Sequence, residues 1–225
     1  MAKPYHFPFT EVEVGRFLFL LISILLLFIL RPFLGGFIGI TVLFDIFFFL
    51  ILVSAIYAVS ARKSGFVIGM VLVVPALITT WSGYVVKIPA IGVTERVFEV
   101  LFLGYVACVI LAHVFRQKQV TLETISGAIC AYFMIGLVWG LCFSLLEQAQ
   151  PGSFLMTEQQ ADPSHFIYYS FVTMSTLGYG DITPISNPAR SLSLLEAVVG
   201  QFYIAVLIAR LVGMHIAQER RGNGG

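Results

Sequence analysis

Apolar residues run along this chain in long blocks, and the short polar breaks between them mark the elements. Blocks at 16–30, 36–59, 65–84, 97–115, 122–146 and 191–216 each approach the roughly 20 residues that carry a helix across a bilayer core. Arg31-Pro32, Arg62-Lys63, Glu95-Arg96 and Arg116-Gln117-Lys118 separate them. The first block is short and spans only if Arg16 and Arg31 snorkel. Asp45 interrupts the second, and Pro75 predicts a kink in the third. A polar stretch, 147–162, follows the fifth block. Asp162-Pro163 then reads as an N-cap with proline at the first helical position. A helix over 163–175 would be only ~20 Å long at 1.5 Å per residue. It is too short to span, so the chain must enter and leave from one side. The expected fold is an all-α membrane protein with six transmembrane helices and a re-entrant helix and loop between the fifth and sixth.

Composition sharpens this. The 225 residues are 59% hydrophobic and 11% charged, with a mean hydropathy of +0.95. That excludes a water-soluble domain. A net charge of +1 gives no sign of a nucleic-acid partner. Cys108, Cys130 and Cys142 all fall inside apolar blocks, which argues against a disulfide framework or a metal site. Catalytic triads, metal-spaced His or Cys and phosphate loops are absent, so neither an enzyme nor a cofactor is expected. The first block reads as a signal anchor, because no small-residue cleavage site follows it.

Orientation follows from the basic residues. With both ends cytoplasmic, Lys3, Arg16, Arg62, Lys63, Arg116, Lys118, Arg220 and Arg221 lie inside; Arg31, Lys87, Arg96 and Arg190 lie outside. The chain is therefore expected in the plasma or bacterial inner membrane. Glu147, Glu158, Asp162 and Asp181 would concentrate cations on the external side.

The most informative stretch is Thr173-Met174-Ser175-Thr176-Leu177-Gly178-Tyr179-Gly180-Asp181. A potassium ion sheds its water only if an equally oxygen-rich shell replaces it, and a strand with every carbonyl turned to one axis can supply that. An ordinary strand alternates its carbonyls. Gly178 and Gly180 permit the left-handed backbone that turns alternate peptides back. Thr176 can add a hydroxyl, Leu177 contributes its carbonyl, and Tyr179 packs sideways. A bare Gly-Tyr-Gly is more often a simple turn, but here it follows a short amphipathic helix between two membrane-length blocks.

The motif resembles the potassium-channel signature, and the likeness extends over about 122–216. It implies a potassium-selective channel subunit of the bacterial two-helix pore-domain superfamily, with four additional N-terminal helices. Potassium would be held at Thr176, Leu177, Gly178 and Tyr179, with Gly180 completing the filter. By position, Tyr168 and Tyr169 match aromatics that brace the filter tyrosine, Thr173 supports it, and Asp181 matches the aspartate just outside it. The pore-helix glutamate of some simple channels is Val172 here, so that strut is missing. Leu177 replaces the commoner valine. Gly200 falls at the hinge glycine of the pore-lining helix, or equally is a small residue for close packing. Gln201, Ile204, Ile208, Val212 and Ile216 would line the cavity and inner gate, at spacings of one helical face. One filter strand per chain implies a homotetramer in the bilayer.

Three divisions result: 1–118, a four-helix membrane domain; 119–217, the pore domain; and 218–225, a short cytoplasmic tail. The first resembles a voltage sensor in helix number only. Its last block, 97–115, holds no Lys or Arg, and each elementary charge crossing the field supplies only ~2.3 kcal/mol per 100 mV. Among intramembrane ionisable groups, Asp45 and Glu99 read as structural hydrogen-bonding residues, and His113 and Arg210 as reaching the headgroups. Glu196 lies about 80° round the helix from Ile204, facing the pore helix, the fifth span or a neighbour. It is either a fixed acceptor for a hydroxyl such as that of Thr173 or a proton-sensitive group. Other functional readings are a weakly selective cation channel and, from a different class, a transporter or partner-binding membrane subunit.

Overall fold

The structure is a computed structural model that describes residues 15–34, 46, 49–50, 52–53, 63–85, 89–156 and 163–222. Helix α1 covers Arg16–Leu34, α2 Lys63–Val85, α3 Pro89–Arg116 and α4 Leu122–Ala149. Strand β1 (Phe154–Met156), helix α5 (Pro163–Met174), strand β2 (Ile182–Pro184) and helix α6 (Asn187–Gly222) complete the order. Among the described residues three stretches are long and apolar enough to cross a membrane: Gly92–Arg116, Leu122–Ala149 and Asn187–Glu219. Phe17–Leu30 and Val67–Thr79 are shorter apolar helices. The predicted block at 36–59, with Asp45, lies almost wholly outside the described residues. So do Glu158 and Asp162.

Local chemistry explains where the helices begin. Thr121 caps α4, its hydroxyl accepting from the Thr124 amide at 3.1 Å. Ser186 does the same for the Ala189 amide at the start of α6, at 3.2 Å. Helix α2 continues through Pro75, and the Thr79 hydroxyl donates to the Pro75 carbonyl at 2.8 Å. Three elements differ from expectation. Helix α3 begins at Pro89 rather than near 97. Helix α6 runs unbroken to Gly222, so the predicted tail starts as a continuation of the span. A short antiparallel ribbon also interrupts the all-helical pattern, pairing Phe154 with Pro184 and Met156 with Ile182. Three-residue strands carry too little periodicity to be read from sequence.

Helix α4 is the hub, with α1, α3 and α5 packed on it, α2 on α3, and α6 on α5 and α4. The main core joins Phe17, Leu20 and Ile24 of α1 to Phe102, Val106 and Ile110 of α3 and to Ala131 and Met134 of α4. A second cluster holds α5 from its other side. Phe154 meets Phe143, Phe166 and Tyr169 edge-to-face, with ring centroids 5.6, 5.3 and 5.3 Å apart. The ribbon is held by Glu147, whose carboxylate accepts from the amides of Gly152 (2.8 Å) and Phe154 (3.1 Å). Glu147, expected to gather cations, thus serves the turn beyond α4.

The close seat of α5 on α4 depends on glycine. A Cβ on Gly140 would lie 2.7 Å from the Ile167 Cα, and one on Gly136 would lie 2.7 Å from the Phe171 ring. Only a side chain of one hydrogen lets the backbones approach this far. The Gly136-x-x-x-Gly140 spacing was a legible signal for this seat.

Candidate functional site

Helix α5 ends at Met174, and the chain returns through 175–181 to β2. The last carbonyls of a helix lack intrahelical donors, and here the return loop supplies them. The Thr176 amide donates to Thr173 O at 3.0 Å. The amides of Leu177 and Gly178 both donate to Val172 O, at 3.0 and 3.4 Å. In a trans peptide the C=O points opposite to the N–H. The carbonyls of Ser175, Thr176 and Leu177 therefore share peptides whose N–H groups face the end of α5, and they themselves face away from it.

Backbone dihedrals alternate along the same stretch. Thr176, Gly178 and Gly180 have φ of 60°, 57° and 78°. At the two glycines a Cβ would meet nothing within 4 Å in this chain, so the demand for glycine there is conformational. Thr176 is the residue the sequence did not flag for this. A β-branched residue in the left-handed region is strained by about 1–3 kcal/mol, and the anchored amides on either side hold it there.

The side chains expected to brace the loop divide. The Tyr168 ring lies parallel to that of Tyr179, 6.5 Å between centroids and 5° between planes. The Asp181 carboxylate lies beside the Tyr168 hydroxyl. Asp181 in turn accepts from the Ile182 amide at 3.1 Å. Tyr169 points the other way, into the aromatic cluster, with its hydroxyl 2.7 Å from Ser193 Oγ on α6. Thr173 lies beside the Tyr169 hydroxyl. The loop itself is uncovered in one chain, with Leu177 60% and Tyr179 65% exposed.

On α6, Gly200 meets the end of α5. A Cβ there would collide with the Met174 side chain and lie 2.8 Å from the Met174 carbonyl oxygen. Close approach accounts for this glycine, and the helix is unbroken across it. Gln201 Nε2 reaches the same carbonyl at 3.5 Å. Ile204, Ile208, Val212 and Ile216 are exposed along one stripe of α6.

Glu196 is buried against α5, where it meets Ser170 rather than Thr173. Glu99 forms an ion pair within its own helix, Arg96 Nη1 to Glu99 Oε2 at 2.9 Å. The His113 ring lies 5.2 Å from that of Phe17, tilted by 51°, and hydrogen-bonds Gln117 at 2.8 Å. Arg210 reaches backbone carbonyls at the end of α3. These last two groups, expected at the headgroups, are engaged within the protein. Sequence spacing along one helix cannot show which neighbouring helix supplies the partner.

Residues 127–216 match the Ion_trans_2 family model, described as "Ion channel". The matched segment runs from the first half of α4 to near the end of α6 and is similar to that family. Over 73 residues, 32% of this chain, it is 34% identical to "Inward rectifier potassium channel Kirbac3.1" of Paramagnetospirillum magnetotacticum. Over 102 residues, 45% of this chain, it is 31% identical to "Two-pore potassium channel 3" of Arabidopsis thaliana. The chain spans 22% and 23% of the lengths of these two relatives. "Protein LctB" of Bacillus caldotenax is 26% identical over 125 residues, 49% of this chain and 92% of that protein. No solved structure matches.

Proposed function

We propose that the chain is one subunit of a potassium-selective channel, in which four copies surround one axis and pass K+ down its gradient. The observation that carries this reading is the pairing of the Leu177 and Gly178 amides with Val172 O. It turns consecutive carbonyls away from α5, where four such strands would make stacked oxygen rings. Carbonyls of Thr176, Leu177, Gly178 and Tyr179, with the Thr176 hydroxyl, would replace the hydration shell of the ion, and Gly180 would close the outer end. The C-terminal end of α5, with its partial negative charge, favours a cation nearby.

Two features support assembly. An uncovered loop with Leu177 and Tyr179 exposed leaves peptide carbonyls unpaired at membrane depth, which costs several kcal/mol each. The window of α6 suited to a span is only 17% buried in one chain, leaving surface for neighbours and for a lining of Gln201, Ile204, Ile208, Val212 and Ile216. Both chain ends lie on the cytoplasmic side of the cell membrane in this reading, by the basic-residue asymmetry.

The test is current through reconstituted planar bilayers with potassium on one side and sodium on the other. A reversal potential set by potassium is expected, and one near zero would indicate a weakly selective cation channel. Gly178→Ala places a Cβ at φ 57° and should abolish selectivity or conduction while native mass still shows four copies. A Gly178→Ala protein with normal potassium preference would rule the filter out.

A further inference from the structure

Glu196 and Ser170 are both 0% exposed within a single chain, so no assembly is needed to bury them. They sit where α4, α5 and α6 meet. Ser170 Oγ lies 2.7 Å from the Gly136 carbonyl oxygen on α4 and in short contact with Glu196 Oε1 on α6. Glu196 Oε2 has no hydrogen-bond partner among the described residues. The titratable groups near enough to feel a charge on Glu196 are Tyr132 and Cys142 on α4 and Tyr169 on α5. Along α6 the nearest charged side chains on either side are Arg190 and Arg210, six and fourteen positions away, about 9 and 21 Å at the rise of a helix. Among the described residues no cation pairs with the carboxyl group.

Counting protons then decides the hydrogen bonds. A serine hydroxyl has one proton, and a backbone carbonyl can only accept. An ionised Glu196 would also only accept, leaving Gly136 O and Glu196 Oε1 competing for a single proton and an unpaired charge in an apolar interior. A proton on Glu196 closes the chain: Glu196 donates to Ser170 Oγ, and Ser170 donates to Gly136 O.

We propose that Glu196 holds a proton at rest, and that its loss to water is a switch that unfastens α5 from α4 behind the candidate filter. The ionised carboxylate takes the Ser170 hydroxyl for itself, and the Ser170–Gly136 link between the two helices is broken. Two and three residues further along α5 are Val172 and Thr173, whose carbonyls hold the amides of Thr176, Leu177 and Gly178. A displacement of α5 therefore passes directly into that loop. The switch rests on the channel reading; the resting proton does not.

Two measurements on the full chain in lipid separate the parts. Infrared spectra of wild type and Glu196→Gln should differ by a protonated-carboxyl band at neutral pH that fades as pH rises. Its absence from the wild type overturns the proposal, whatever the current. Potassium current recorded with pH varied separately on each side should change several-fold in wild type, with the slope of a single titrating group. Glu196→Gln keeps an N–H donor for Ser170 and should be flat with pH. Ser170→Ala should keep the infrared band yet lose the pH response of the current. An identical pH response in wild type and Glu196→Gln overturns the switch. A band without current in any preparation supports the resting proton and overturns the channel reading instead.

Discussion

Arg210 Nη2, on α6, lies 2.5 Å from the Phe115 carbonyl oxygen at the end of α3. The same nitrogen is 3.0 Å from Gln117 O and 3.4 Å from Val114 O, and the guanidinium stands 4.8 Å over the Phe115 ring. The last carbonyls of a helix are unsatisfied and carry partial negative charge, so a cation there stabilises both helices' positions. Replacement by Gln removes the charge and should cost about 1–2 kcal/mol, read as a lower unfolding midpoint in detergent. Lysine keeps the charge but not the planar fork, and should fall between. On the channel reading, Arg210→Gln also shifts open probability, since this contact ties the α3–α4 elbow to the lining helix. Unchanged stability in Arg210→Gln would remove the contact from any structural role.

Gly140 supplies a sharper test of packing. Its added Cβ would meet the Ile167 Cα at 2.7 Å, a backbone atom that cannot swing aside. Gly140→Ala should therefore cost about 1–3 kcal/mol by overpacking and, on the channel reading, disturb conduction by moving α5. At Gly104, in α3, a Cβ meets nothing within 4 Å. Gly104→Ala should be neutral or stabilising by up to about 1 kcal/mol from helix propensity. Equal melting behaviour in the two variants would contradict the close seat.

Thr176 carries a β-branched side chain at φ 60°. Thr176→Gly relieves that strain while deleting the hydroxyl proposed to hold potassium. Thermal stability without potassium should hold or rise by about 1 kcal/mol. Stabilisation by added potassium should shrink at the same time, because a ligand is lost from the bound state. Melting curves with and without potassium separate the two effects. A Thr176→Gly protein that is less stable without potassium, yet gains as much from it as wild type, would contradict both roles.

Steep voltage dependence is not expected. Between Arg96, which is paired to Glu99 at 2.9 Å, and Arg116 at its end, α3 carries no Lys or Arg. At ~2.3 kcal/mol per charge per 100 mV, that leaves too little charge to drive a helix. Conductance between about −100 and +100 mV should vary gradually. Sigmoidal activation equivalent to several gating charges per subunit would contradict this.

By itself the sequence determined what depends on neighbours along the chain. Apolar block length set the membrane class, proline after aspartate marked the start of α5 at Pro163, and alternate glycines marked the positive φ at Gly178 and Gly180. Each is a local preference, written within a few residues of where it acts. Tertiary structure alone decided the rest. It placed Gly136 and Gly140 against α5, paired Phe154 with Pro184, gave Glu196 to Ser170 and brought Arg210 to the carbonyls of α3. It also turned Tyr168 toward the loop and its neighbour Tyr169 toward Ser193. These partners lie well apart in sequence, Tyr168 and Tyr179 by 11 residues and Phe115 and Arg210 by 95. Periodicity shows which face of a helix is buried, but only the packed arrangement shows what that face is buried against.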